Sequence, residues 1–67
     1  MAYDRKAYEE DFVWIDNNWD ELAQAYPDYW VAVRSGKVIA HAIEYDDLLK
    51  QLPDAEHTAV EFIEQEY

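Results

Sequence analysis

Few residues of this chain could act as nucleophiles, and the sequence places them poorly for that role. Apart from the tyrosines, the hydroxyl groups belong to Ser35 and Thr58, and the histidines are His41 and His57. Ser35 falls in a predicted hairpin turn, and His41 lies six residues further along a strand, roughly 20 Å away at about 3.3 Å per residue. A catalytic triad needs the histidine within hydrogen-bonding distance of the hydroxyl. We therefore predict no catalytic residue and no enzyme.

A calcium-binding loop is also excluded on inspection. Asp16, Asn18 and Asp20 match the opening of such a loop. However, Glu21 stands where the loop needs glycine, and Pro27 stands where it needs a bidentate glutamate. The three residues also lie inside a predicted helix, where side chains two positions apart diverge.

The two histidines are the remaining candidates for a metal site. His41 with Glu44, or His57 with Asp54 and Glu56, could hold a divalent ion only weakly. A histidine on a strand of mixed polarity is more often packed or solvated. We predict no metal and no cofactor, and a metal-dependent enzyme is the least favoured alternative.

Composition narrows the class of protein further. The 67 residues include 16 acidic and five basic residues, which gives a formal net charge of −11. Nucleic acids and anionic membranes attract basic proteins, so we predict neither as a direct partner. The chain has no cysteine, and 51% of its residues are hydrophobic, which is too apolar for a disordered acidic tail. No signal peptide and no membrane span are evident, so we expect one small cytoplasmic domain covering residues 1–67.

The N-terminal part of the chain is predicted to be one long helix from about Asp4 to Ala25. Its apolar residues recur at intervals of four and three, which places them on one face of a helix. Pro27 accounts for the end of the helix, because the residue before a proline disfavours helical geometry. The apolar residues are Tyr8, Phe12, Ile15, Trp19, Leu22 and Tyr26.

A β-hairpin follows, formed by residues 29–34 and 37–42 around a two-residue Ser35-Gly36 turn. The register expected from this turn places Val33 opposite Val38, Val31 opposite Ala40, and Tyr29 opposite Ala42. This face is apolar and should receive the long helix. The second face is mixed and partly exposed to solvent, and carries Trp30, Ala32, Arg34, Lys37, Ile39 and His41.

The remaining segments complete an α+β fold. Residues 46–52 are predicted to form a short helix that ends at Pro53. The segment from Thr58 to Glu64 fits either a strand or a helix, and we favour a strand because a two-stranded hairpin is only marginally stable alone. The predicted architecture is a long N-terminal helix packed on a small, mainly antiparallel sheet of three strands. A short helix lies between the second and third strands, giving the order α-β-β-α-β.

These segments resemble a family of short uncharacterised domains found in bacteria and archaea. The resemblance covers about Phe12 to Leu49, and the acidic, aromatic extension Tyr3 to Asp11 departs from it. It implies the same α-β-β-α-β order but carries no assigned activity, so it suggests no functional residue. The residues that carry it are the runs 14–22 (WIDNNWDEL), 26–27 (YP), 30–41 (WVAVRSGKVIAH) and 48–49 (LL).

The distribution of carboxylates suggests a binding role. Between Ala7 and Val33 the chain has seven acidic residues and no lysine or arginine. Glu9, Asp16 and Asp20 are expected on one ridge of the helix, opposite its apolar face, where like charges destabilise the helix by a few tenths of a kcal/mol. Three explanations stay open: simple solvation of the surface, a basic protein partner, and mimicry of nucleic acid. The third would use the spacing of Asp16 and Asp20, about 6 Å along a continuous helix.

Two tryptophans strengthen the hypothesis of a partner. Trp14 is predicted to lie off the apolar face, beside carboxylates, as an interface anchor would, unless the short helix or the C-terminal segment covers it. Trp30 on the second sheet face could stack on Arg34 or cover the sheet where another subunit docks. We therefore predict a non-catalytic acidic module that binds a basic protein through Glu9, Trp14, Asp16, Asp20 and Trp30.

The strongest version of this hypothesis is an inhibitor that mimics nucleic acid, of the anti-CRISPR or anti-restriction type. Its partner would then be a nucleic-acid-binding protein. The alternative is a structural or regulatory subunit that forms a homodimer through its exposed sheet face, with Trp30, Ile39 and His41 at the contact.

Overall fold

The computed structural model describes residues 5–64 and confirms the predicted α+β fold. The described elements are three α-helices, three strands and one 3₁₀ turn, in the predicted order apart from a break in the first helix. No helix among residues 5–64 is long and apolar enough to cross a membrane. The elements are α1 (Arg5–Asn17), α2 (Trp19–Ala25), β1 (Tyr29–Val33), β2 (Val38–Ala42), α3 (Tyr45–Lys50), the 3₁₀ turn (Ala55–His57) and β3 (Ala59–Ile63).

The predicted long helix is divided at Asn18. The backbone there has φ −117° and ψ 20°, which differs from helical geometry. The Asn18 side-chain amide donates to the carbonyl oxygen of Trp14 at 2.8 Å, a local bond of the kind by which asparagine competes with regular helix. The prediction of one continuous helix was therefore wrong at this residue, and its predicted start at Asp4 lies outside the described residues. The predicted apolar face does pack inward, with Ile15 and Leu22 buried.

The sheet has the order β2-β1-β3, and both neighbouring pairs are antiparallel. The predicted two-residue turn joins β1 to β2. Arg34 and Lys37 exchange backbone hydrogen bonds of 3.0 and 3.3 Å, while Ser35 and Gly36 have φ of 55° and 71°. Positive φ at both central residues is typical of the type I′ turn that best fits the twist of a hairpin.

A bulge in β2 makes part of the predicted register wrong. Val33 pairs with Val38 as expected, but Ala32 pairs with Ala40, which leaves Ile39 as an extra residue. Because side chains alternate along a strand, one extra residue exchanges the faces beyond it. His41 therefore pairs with Val31 on the helix-covered face, and Ala42 pairs with Trp30 on the other face.

The second face of the sheet is packed at its centre. Leu48 of α3 is fully buried there against Ala32 and Ala40, with Leu52 and Val60 beside them. The first face holds a separate buried cluster under α1 and α2 that includes Ile15, Val31, Val33 and Ile63. The protein is thus a sheet between two helical layers. The second face is buried at its centre, while Phe62 on it is exposed and Trp30 is half-buried, as expected of a partly exposed face.

A side-chain hydrogen bond links the end of α3 to β2. The Gln51 side chain donates to the carbonyl oxygen of His41 in β2 at 3.1 Å. The predicted C-terminal strand is confirmed as β3, which pairs with β1 from Tyr29 opposite Ile63 to Val33 opposite Ala59. β1 consequently lies in the centre of the sheet, between β2 and β3. Helices cover both of its faces.

Candidate functional site

The outer face of α1 is an acidic surface with an exposed apolar residue in it. Glu9 and Asp16 are exposed, and Val13 between them keeps 57% of its surface accessible. Glu9 makes an ion pair of 3.1 Å with Arg5, although both side chains are largely in water. Within residues 5–64, Asp16 and Asp20 make neither an ion pair nor a side-chain hydrogen bond. We call Glu9, Val13, Asp16 and Asp20 the acidic face.

The break at Asn18 changes the geometry of this face. Asp16 lies in the last turn of α1, whereas Asp20 lies in the first turn of α2. The phosphate-like spacing of the two carboxylates was derived for a continuous helix, so it does not apply across the break. The two groups remain close in sequence and exposed, but their separation is set by the angle between two helices.

Trp14 is half-buried, and the core cluster it packs against includes Ala59 and Ile63 of the C-terminal strand β3. Trp14 also faces the hairpin turn. A Cβ atom built on Gly36 would lie 3.6 Å from both Cδ1 and Nε1 of Trp14. Beside it, Asp11 accepts a hydrogen bond from the backbone of Ser35 at 3.1 Å. The expectation that Trp14 lies off the core was wrong, and its role in binding a partner stays a prediction.

Trp30 forms the centre of an aromatic group on the second face of the sheet. Its ring centroid lies 4.8 Å from that of Tyr45 and 5.3 Å from that of Phe62. Trp30 does not stack on Arg34, whose guanidinium instead donates to the Thr58 hydroxyl at 2.9 Å. Tyr45 and Phe62 keep 45% and 36% of their surfaces exposed. We call Trp30, Tyr45 and Phe62 the Trp30 cluster.

Sequence reasoning named Trp30 but missed the rest of the Trp30 cluster. Phe62 could have been found from strand alternation, since it pairs with Trp30 once β3 is placed beside β1. Tyr45 depends on how α3 crosses the sheet, and no local pattern of residues reports that crossing.

The three residues proposed for self-association do not share a face. His41 lies on the helix-covered side, with its ring centroid 5.0 Å from Tyr26 and 5.6 Å from Tyr29. Trp30 lies on the opposite side of the sheet, and Ile39 is the extra residue of the bulge. The dimer contact, as it was predicted from these residues, would need both faces of the sheet at once.

Two of the residues considered for catalysis, His57 and Thr58, lie together near the start of β3, whereas Ser35 lies in the hairpin turn and His41 in β2. The buried Thr58 hydroxyl donates to the backbone carbonyl of Asp54 at 2.6 Å and accepts from Arg34. His57 Nδ1 lies 3.2 Å from the Asp54 carboxylate. The Thr58 hydroxyl proton therefore points to a backbone oxygen rather than to the imidazole, and the arrangement closes the loop before β3. Among residues 5–64, no three histidine or acidic side chains group together as metal ligands would.

Comparison with known protein families shows which family the chain belongs to. A family of unknown function, DUF5678, matches residues 21–66. The match covers more than half of the chain, so the protein belongs to this family. The predicted resemblance to a family of unknown function is confirmed, although it was placed over Phe12 to Leu49 and the match begins only at Glu21. Neither curated proteins nor solved structures gave a match.

The family match divides the predicted site residues into two groups. It begins at Glu21 and takes in α3 and the three strands, whereas α1 lies before it. The residues of the acidic face therefore fall outside the matched range, together with Trp14. Trp30 and the rest of its cluster fall inside it.

Proposed function

We propose that this protein is a binding module that engages a basic surface on a partner protein through the acidic face. The observation that carries this proposal is the pair of exposed carboxylates, Asp16 and Asp20, that make no ion pair within residues 5–64, with the exposed Val13 one helical turn before Asp16. A lone apolar side chain rimmed by charges of one sign suits a contact in which burial gives affinity and charge gives orientation.

The position of Asp16 also supports a role of its charge in binding rather than in stability of the fold. The last turn of α1 contains no basic residue, and Asp16 places a negative charge near the end of the helix where the carbonyl groups already carry partial negative charge. This arrangement disfavours the isolated helix. A lysine or arginine of a partner would relieve it, and the same charge would steer the partner during association.

A narrower form of the proposal makes the partner a nucleic-acid-binding protein that this chain inhibits by mimicry. The net charge of −11 supports this form. It predicts that duplex DNA displaces the module from its partner, whereas an ordinary protein contact would be indifferent to DNA.

Residue-resolved NMR with a defined basic probe tests the proposal. A lysine nonapeptide is titrated into the ¹⁵N-labelled protein at about 0.1 M and 0.5 M salt. We expect shift changes concentrated in residues 13–20 at low salt, which disappear at high salt because exposed charges are screened. Shift changes spread evenly over every acidic segment would show that net charge alone is responsible and would overturn the proposal.

Two double variants with the same change in net charge provide the matched comparison. Asp16→Asn/Asp20→Asn should weaken lysine-peptide binding severalfold. Asp47→Asn/Glu56→Gln removes two exposed carboxylates elsewhere and should weaken it far less. Equal losses in the two variants would contradict a specific acidic face. Sedimentation of the wild-type chain, run in parallel, detects the alternative of self-association as a dimer mass.

A further inference from the structure

The Trp30 cluster exposes aromatic surface that the fold itself leaves uncovered. Trp30 is half-buried and holds Tyr45 and Phe62 on either side of it, so their rings are fixed by packing although both remain open to solvent. Fixed, exposed aromatic rings lose little conformational freedom on binding, which is why such residues often anchor interfaces.

The surroundings of the cluster are acidic. Glu44 and Asp46 flank Tyr45 in the chain, and Glu64 follows the end of β3; all three are exposed. Within residues 5–64, these three carboxylates make no ion pair. A cation that approached the rings would meet negative charge in addition to the aromatic faces.

The basic residues of the chain are all placed away from this end of the sheet. Arg34 and Lys37 close the hairpin turn, four residues or about 13 Å along β1 from Trp30. Lys50 ends α3, five residues or about 7.5 Å along the helix from Tyr45, and its ammonium group pairs with Asp47 at 3.9 Å. Arg5 and Lys6 begin α1, which contacts the hairpin turn through Asp11. Among residues 5–64, no lysine or arginine therefore lies on the rings of the Trp30 cluster.

The geometry points to the Trp30 cluster as a second binding surface, which takes an arginine side chain from a basic segment of the partner protein. A guanidinium is planar, stacks on aromatic faces and binds carboxylates in a bidentate manner, whereas an ammonium is a strongly hydrated point charge. The cluster offers aromatic faces and carboxylates together, so it should prefer arginine to lysine. The inference rests on the proposed function for the class of partner, but it uses residues on a different part of the molecule.

A comparison of arginine and lysine nonapeptides tests this surface. We expect the wild-type protein to bind the arginine peptide about two- to fivefold more tightly, the range that corresponds to an exposed cation–π contact. The arginine peptide should shift the indole N–H signal of Trp30 and the amide signals of residues 43–46, whereas the lysine peptide should leave them nearly unchanged. Equal affinity for the two peptides, or no shift at Trp30, would overturn the inference.

Substitutions at one exposed ring make the test specific. Tyr45→Ala should remove the preference for arginine, and Tyr45→Phe should retain it because the aromatic face remains. Ile39→Ala truncates an exposed apolar side chain outside the cluster and should leave the preference unchanged. Circular dichroism and the thermal midpoint show whether Tyr45→Ala is folded, and preference retained in a folded Tyr45→Ala would count against the inference.

The two proposals fail in different ways. If both peptides shift only residues 13–20, the acidic face stands and the arginine surface is wrong. If the arginine peptide shifts only the Trp30 cluster, the acidic face is wrong and the sheet end is the binding surface. If neither peptide gives a localised response, both proposals are wrong.

Discussion

The carboxylate of Asp11 accepts a hydrogen bond of 3.1 Å from the backbone N–H of Ser35, which lies 24 residues further along the chain. Together with Trp14, which packs over Gly36, this bond seats the N-terminal helix on the turn of the hairpin. The contact joins the part of the chain that precedes the family match to the part inside it. Four predictions test how this and other contacts maintain the fold.

Replacement of Asp11 should weaken the attachment of α1 to the hairpin turn. Asp11→Ala removes the acceptor for the Ser35 N–H, and we expect the free energy of unfolding to fall by about 0.5–1.5 kcal/mol. Asp11→Asn keeps an oxygen in the same position and should lose less. Urea denaturation of both variants measures the difference, and equal stability of Asp11→Ala and the wild type would contradict a role for this bond.

Gly36 is expected to be intolerant of a side chain for conformational rather than steric reasons. A Cβ atom would make only ordinary contact with Trp14, at 3.6 Å, but φ of 71° is unfavourable for L residues other than glycine. Gly36→Ala should destabilise the fold by about 1–2 kcal/mol, which lowers the melting temperature by about 4–8 °C per kcal/mol in a domain of this size. Gly36→Asn should lose less, because asparagine tolerates this region. Equal melting temperatures for the two variants would argue for a steric cause instead.

Leu48 should be among the most sensitive positions, because it anchors α3 on the second face of the sheet. It is fully buried, and truncation of such a residue costs about 2–5 kcal/mol. The whole domain is stable by only about 3–10 kcal/mol on general grounds, so Leu48→Ala is expected to be partly unfolded. Leu48→Met conserves volume and should lose less than about 1.5 kcal/mol. Leu49, the half-buried neighbour, provides the control. A Leu49→Ala variant as unstable as Leu48→Ala would refute this placement of α3.

Asp16 and Asp20 should affect stability with opposite signs. Asp16 lies in the last turn of α1, where negative charge is unfavourable, so Asp16→Asn should raise the free energy of unfolding by about 0.3–1 kcal/mol. Asp20 lies in the first turn of α2, where negative charge is favourable, so Asp20→Asn should lower it by a similar amount. Urea denaturation at low salt measures both. Changes of the same sign would show that general charge repulsion outweighs the helix dipoles.

The elements with a strong local signal could be predicted from the sequence. The apolar spacing from Tyr8 to Tyr26 located the buried face of the N-terminal helices, because helical periodicity depends only on neighbouring residues. Ser35-Gly36 located the hairpin turn, because positive φ at both positions restricts the residues that fit. The need of a hairpin for a further strand correctly favoured β3 over a helix.

The features that were predicted wrongly depend on competition between nearly equal alternatives. The residues of β2 are apolar on both faces, so alternation could not show that Ile39 is an extra residue, and His41 was placed on the wrong side. The apolar face runs through Asn18 without a change, so periodicity could not show the break there. Trp14 is covered by a turn 22 residues further along the chain, and no local pattern carries that contact.

The bulge at Ile39 and the Gln51 side chain together limit the addition of another strand to β2. β2 is an outer strand of the described sheet, and such strands present backbone groups to which another chain can add. The extra residue at Ile39 interrupts the regular row of these groups, and the Gln51 amide already occupies the carbonyl oxygen of His41. Addition of a foreign strand along β2 is thereby obstructed, which protects a small domain with much exposed aromatic surface from aggregation through this strand.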